Sequence, residues 1–533
     1  MRQLSVAAAI GLAAVVVPIA AQNVDPITAS TAALGVANIH TLVYSGFGSS
    51  YFVGQSPSPA AAWPRVSLTA YKAEIDYDRA AMRVEMRREQ GQIQPLGGGP
   101  AFAGERREIQ GVSGTFAWNV PFGPPPAGRG RGRGAAAPDD AVAAAPPPAG
   151  RGRGAAAVPL PPEAAFADAP LRAQQIWMTP QGFLRAAAAN HASTRRIAEG
   201  TEVSFALDGK TRFTGLINSR SEVRRVSTWV ANPVLGDMLV ETDYDDYAKV
   251  ADGVSFPMHM TERQGGHPAL DLYVTTVEPN AQVAAAIPDS LDGAKPTPPH
   301  VEMQKIAEGV YYLRGGTHHS VAIEMSDHVV LVEAPVDEER SLAVMSAIAS
   351  GIVPNKPIRF VINTHHHFDH AGGLRTLVDA GATVVTHQSN KAFYEGAWAA
   401  PRTIAPDRLV LSRKPHNFQT FTDRSVLTDG SRTVEVYQIA NSPHAEGFAM
   451  VYLPSDKLLI EADAYTPAGG AAPAPPPPGL PPGFAVGPAI SPSARNLYDN
   501  IVRLKLDVAQ IAPLHGPGLV KMSEFATAVA RDR

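Results

Sequence analysis

Residues 359–374 read Arg-Phe-Val-Ile-Asn-Thr-His-His-His-Phe-Asp-His-Ala-Gly-Gly-Leu, so four side chains able to bind a metal, His365, His367, Asp369 and His370, fall within six residues. Imidazole and carboxylate are the donors zinc takes where no thiolate is at hand, and the chain contains no cysteine. The apolar run before the donors reads as a strand and Gly372-Gly373 as a helix entry, which puts the donors on the loop between them. Strand alternation points His365 and His367 to one side, and the turn that follows carries Asp369 and His370 to an adjacent position. An internal run that follows an apolar strand and mixes Asp with His is neither a tag nor a scatter of surface histidines. It implies a metal site.

Three later donors each follow a strand-like stretch: His444 in Ser-Pro-His-Ala-Glu-Gly, 77 residues beyond His367, then Asp463 after Lys-Leu-Leu-Ile-Glu-Ala, and His515 after Ile-Ala-Pro-Leu. With these in place, His-X-His-X-Asp-His resembles the signature of the metallo-β-lactamase superfamily, over roughly residues 305–528. The resemblance implies a first metal held by His365, His367 and His444, a second held by Asp369, His370 and His515, and Asp463 bridging them. It also implies an α/β fold, an αββα sandwich with the site along one edge. Ser-Pro-His-Ala-Glu stands where Gly-His-Thr is more common, and Ala462-Asp463 replaces the usual Gly-Asp, but the donors are kept. Absence of cysteine excludes the subclasses with a thiolate ligand. It leaves the all-His/Asp arrangements of glyoxalase-like thioesterases, lactonases, phosphodiesterases and some β-lactamases.

The expected cofactor is zinc, two ions per chain, which brings the pKa of bound water down to about 7 and makes hydroxide available for attack on a carbonyl. Asp369 is the expected catalytic residue as well as a ligand, orienting the hydroxide and carrying its proton onward. The chain lacks a phosphate-binding loop or basic cluster near these motifs. This favours a small neutral ester, thioester, lactone or amide as substrate. Iron in the same donors would instead give a mononuclear persulfide-dioxygenase-like enzyme, and a third reading is a non-catalytic binding protein on the same scaffold. His318 and His319, between two early strands, and Tyr394, on a helix, are the weak candidates for touching substrate. The proline-rich run 466–483 leaves the site's rim as an extended loop.

The elements that must position this chemistry occupy only part of the 533 residues, a length that calls for two domains. A formal charge of -4 gives no electrostatic case for nucleic acid. Residues 1–21 read as a signal peptide cleaved near residues 20–22, which implies a periplasmic or secreted protein with no stable membrane span afterwards. Residues 22–283 alternate in the manner of strands and predict a separate β-rich domain, with a helix over 184–198. A Pro/Gly/Arg stretch at 121–162, in which Pro-Pro-Pro-Ala-Gly-Arg-Gly-Arg-Gly occurs twice, predicts a disordered insertion. Residues 239–280 resemble the end of periplasmic lipoprotein-carrier half-barrels, which implies an apolar or lipid ligand for this domain. Residues 284–300 read as a linker, and 301–533 as the hydrolase domain.

Overall fold

The structure is a computed structural model that describes residues 24–91, 96–99, 104–123, 158–251, 253–351, 356–467 and 490–531. The signal-peptide segment, most of the Pro/Gly/Arg stretch and nearly all of the proline-rich run after Asp463 lie outside the described residues.

The N-terminal half is built on one large antiparallel sheet. Thr41–Tyr51, Arg65–Asp76, Ala81–Glu89, Glu105–Ser113 and Phe116–Gly123 follow one another as neighbours. His267–Pro279 pairs on the other side of the first strand, and the sheet continues from there, hairpin by hairpin, back to Ser193–Ile197. One face is covered by the helices Pro26–Ala33, Ala169–Met178 and Pro180–Ala189. Ile176, Phe183 and Leu184 are buried there against Leu42, Leu68, Ile75 and Phe213.

The helix expected over 184–198 is displaced. Thr179 caps the start through its side chain, Pro180 takes the first helical position, and the helix stops at Ala189. Ser193–Ile197 is instead an edge strand hydrogen-bonded to Gly200–Leu207. Pairing outweighed the helical preference of the alanines upstream. Both flanks of the Pro/Gly/Arg stretch are also strand, since Phe122 and Gly123 pair with Pro159 and Val158.

The C-terminal half stacks two sheets between helices. The first runs Glu302–Ala307, Val310–Arg314, Ser320–Glu324, Val329–Val332, Ile358–Ile362, Thr383–His387, Phe418–Phe421, with its last four strands parallel. The second runs Arg424–Thr428, Thr433–Gln438, Ala449–Leu453, Leu458–Glu461, Gln510–Pro513, Val520–Lys521. Alternation explains the stacking. Val330, Val332, Ile362 and Val385 face the second sheet, while their neighbours Val329, Leu331, Val361 and Val384 face the helices Glu338–Gly351, Leu374–Asp379 and Gln388–Ala399. A strand buried on both faces reads as an unbroken apolar run, as Val-Val-Leu-Val does. Helices Pro492–Leu504 and Met522–Arg531 cover the far side through Leu497, Ile501 and Phe525. The result is mixed α/β, an αββα sandwich after a separate β-rich domain. Among the described residues no helix is long and apolar enough to cross a membrane.

Candidate metal centre

The ligand loop leaves the C-terminal end of Ile358–Ile362, where parallel neighbours on both sides end together. Asn363 fixes its path. The backbone N–H of Asn363 donates to Val385 O, and its side-chain amide donates to His365 O at 2.7 Å. The Tyr394 hydroxyl donates to Asn363 Oδ1 at 2.6 Å. Tyr394 is fully buried and stacked on Phe418, so it braces the ligand loop from behind.

The seven expected donors meet at one place. His365 Nε2 lies 3.0 Å from His367 Nδ1 and 3.2 Å from His444 Nε2, and Asp463 Oδ2 lies 3.1 Å from the same His444 atom. On the other side of Asp463, Oδ1 is 2.8 Å from Nε2 of both His370 and His515, and those two nitrogens are 3.3 Å apart. Asp369 joins His370 and Asp463 in a third set.

Two observations test whether these atoms suit zinc. Tetrahedral ligands at zinc–nitrogen distances of about 2.0–2.1 Å sit about 3.3 Å from one another, close to the spacings found here. Asp463 Oδ1 is buried, yet neither histidine contact to it has the alignment of a hydrogen bond, as for donors aimed at a shared centre. The donor set and its spacings fit a metal centre, and Asp463 lies between the two groups of histidines.

Residues 313–512 match the family model described as the metallo-beta-lactamase superfamily. That stretch is a metallo-β-lactamase superfamily domain. Among solved structures, the chain is similar to a metallo-beta-lactamase from Pontibacter korlensis, at 17% identity and a TM-score of 0.32, over 44% of this chain and 98% of that one. It is similar also to the metallo-beta-lactamase FIM-1 from Pseudomonas aeruginosa in its mono-zinc form, at 15% identity and a TM-score of 0.32, over 44% of this chain and 95% of that one. No curated protein matches the sequence.

Charge within the metallo-β-lactamase domain is arranged for cation binding. Burial pushes Asp369 and Asp463 upward, but the neighbouring His370 and, respectively, His318 and His444 outweigh it and hold both carboxylates well below their usual range. Burial drives His365 and His367 well down, with the adjacent histidines adding to it, so both rings are neutral and have a lone pair to give.

Four residues that the sequence did not single out surround the ligands. Glu333 is fully buried at the end of Val329–Val332, with a left-handed backbone at φ 68°. Its carboxylate accepts from Thr364 N–H at 2.6 Å and lies 3.2 Å from His370 Nδ1, leaving Nε2 toward the site. The signal was present: an acid directly after four buried apolar residues at a strand's C-terminal end. His366, within the motif but outside the donor pattern, turns away from the ligands, and its Nε2 lies 3.0 Å from Ser56 Oγ. Gln55 and Ser56, from the N-terminal sheet domain, also reach the site, and nothing in their local sequence announces it.

Of the two early histidines, His318 comes to the centre. Its Nε2 is 3.2 Å from Asp369 Oδ2, and it forms with His370 and His515 a further set able to hold an ion. His319 instead lies with Nε2 3.1 Å from Gly516 O while its Nδ1 accepts from Gly315 N–H, which ties together two loops at the rim.

Proposed function

We propose that the protein is a metal-dependent hydrolase that cleaves a small ester, thioester, lactone or amide using two zinc ions. The observation that carries this reading is the convergence of seven donors from four separate segments on two adjoining sets of positions, with Asp463 common to both. Bound there, zinc would generate a nucleophile from water at neutral pH and polarise the carbonyl under attack. The chain's own residues do the rest. The histidines hold position through bonds made by their other ring nitrogens, as His370 does with Glu333. Asp369 stays ionised, so it can take a proton from the attacking water and pass it toward the leaving group. His318, against Asp369 Oδ2, lies where that proton can move on.

Metal analysis of the purified full chain tests this, together with hydrolysis of a panel of lactone, thioester, β-lactam and phosphodiester substrates before and after chelation. The expected result is close to two zinc ions per chain and turnover lost on chelation and restored by zinc. Iron with no hydrolysis would favour the dioxygenase reading, and turnover unaffected by chelation would sink the metal mechanism.

A cavity of about 750 Å3 in the N-terminal domain, whose lining mixes Phe166, Ala173, Ile176, Trp177 and Leu207 with Gln174, Arg185 and Asp208, supports a ligand with an apolar body and a polar end there. Quenching of tryptophan fluorescence by a titrated fatty-acyl probe, lost in Ala173→Trp, is the expected sign of it. No response in the unaltered protein would remove this reading.

A further inference from the structure

The loop at residues 52–64 joins the strands Thr41–Tyr51 and Arg65–Asp76 of the N-terminal sheet, and it is closed on itself by Phe52 N–H donating to Pro64 O. Its tip lies on the ligand loop of the other domain. Three consecutive residues meet four consecutive residues there: Gly54 O accepts from Phe368 N–H, Gln55 Nε2 donates to Asp369 Oδ1 at 2.8 Å, Ser56 O accepts from His367 Nε2 at 2.8 Å, and Ser56 Oγ lies 3.0 Å from His366 Nε2. One residue further on, Pro57 O accepts from Glu446 N–H, beside the segment that carries His444. The same loop therefore holds both segments that bring histidines to the first metal position.

Resting on the two-metal reading above, we propose that this loop is a working part of the metal centre, with Gln55 the positioning residue for Asp369 and the Ser56 carbonyl the positioning group for His367. A carbonyl oxygen can only accept, so His367 Nε2 carries the proton and Nδ1 keeps its lone pair. Nδ1 is the atom that lies 3.0 Å from His365 Nε2, on the metal side. An amide N–H on Asp369 Oδ1 fixes the carboxylate's rotation and leaves Oδ2 directed at the second position, where His318 now lies against it.

The backbone is shaped to admit the amide. Gly98 N–H donates to Gln55 O, and a Cβ at Gly98 would lie 1.9 Å from Gln55 Oε1 and 2.7 Å from His367 Cε1. Only a residue without a side chain lets the 96–99 segment, the Gln55 amide and the His367 ring share that space.

Titration of the full-length metal-free chain with cobalt(II), read by its visible absorption, tests the assignment. Gln55→Leu removes the donor at nearly constant volume, and Gln55→Glu replaces it with a like charge. Each is expected to weaken the second cobalt ion by about 10-fold or more and to alter its absorption band, while the first ion binds as before. Gln55→Leu and Gln55→Glu proteins that bind both ions with unaltered affinity and spectrum would overturn the assignment. An unaltered chain that takes up no cobalt would instead bring down the two-metal reading, and this assignment with it.

Discussion

At the scale of single residues, the centre divides into atoms that would touch metal and atoms that hold those atoms still. His515→Ala removes a donor from one position only. It is expected to leave one zinc ion per chain in place of two and to lower turnover at least 100-fold, by metal analysis and initial rates on the same preparation; two ions retained would exclude His515 as a ligand. Glu333→Gln keeps the shape but gives up the charge facing His370 Nδ1, and a 10- to 100-fold loss in zinc affinity is the expected effect. An unchanged affinity would make Glu333 a folding residue only. The donors themselves were legible because their chemistry is unusual at that density, and because each follows an apolar strand. Gln55 was not legible. A glutamine 314 residues from the carboxylate it bonds carries no local mark, and only the docking of two domains reveals it.

Elements were readable wherever both of their faces told the same story. Val329–Val332 and Leu458–Glu461 are buried on both sides and read as largely apolar runs, so strands of a mixed α/β domain could be expected from pattern, while the sandwich itself came only with the family resemblance. The region after residue 180 misled because its alanines favour a helix, while its true boundaries lie in one hydroxyl and one pairing. Thr179 Oγ1 accepts from Gly182 N–H at 3.2 Å, donates to Ile176 O at 3.0 Å and lies 2.8 Å from the Tyr77 hydroxyl. Thr179→Ala should cost about 1–2 kcal/mol in chemical denaturation, the upper part of the range for a lost helix cap. Thr179→Ser should recover most of it. A loss below a few tenths of a kcal/mol would mean that the cap is dispensable.

Across the whole molecule, two larger contacts join the halves, alongside the hydrogen bond from Gly97 N–H to Pro443 O. One is the 52–64 loop on the metal centre. The other is the hairpin tip at 232–236, whose Val234 is buried in the helix layer of the metallo-β-lactamase domain beside Leu331 and Leu377. Arg402 donates to the carbonyls of Asn232, Pro233 and Val234, and burial pushes its guanidinium down to about 10, still charged at neutral pH. Asp237 accepts from the N–H groups of Thr403 and Ile404. Burial raises the Asp237 carboxyl, but these donors outweigh it and hold it below its ordinary value of about 3.9. Its ionised form therefore favours the docked state above that pH, and the contribution fades as pH falls through the lowered value. Asp237→Asn should dock more weakly at pH 7 and lose this part of the acid sensitivity. Faster cleavage between residues 284 and 300 by subtilisin, which has no need of a basic residue, is the expected readout, and equal rates for the two proteins at pH 7 would show that the contact does not hold the halves together.

The pairing of Phe122 and Gly123 with Pro159 and Val158 has a practical use. The chain leaves the sheet at Gly123 and returns to it at Val158, two residues paired on one rung of the ladder, so an insertion between them is tethered at both ends to a single point. Closing a loop twice as long costs only about 0.6 kcal/mol more, and the sheet would scarcely register the change. The paired Gly123 and Val158 are thus a socket: a fluorescent reporter or an affinity handle could be spliced between them, leaving both chain ends and the metal centre untouched.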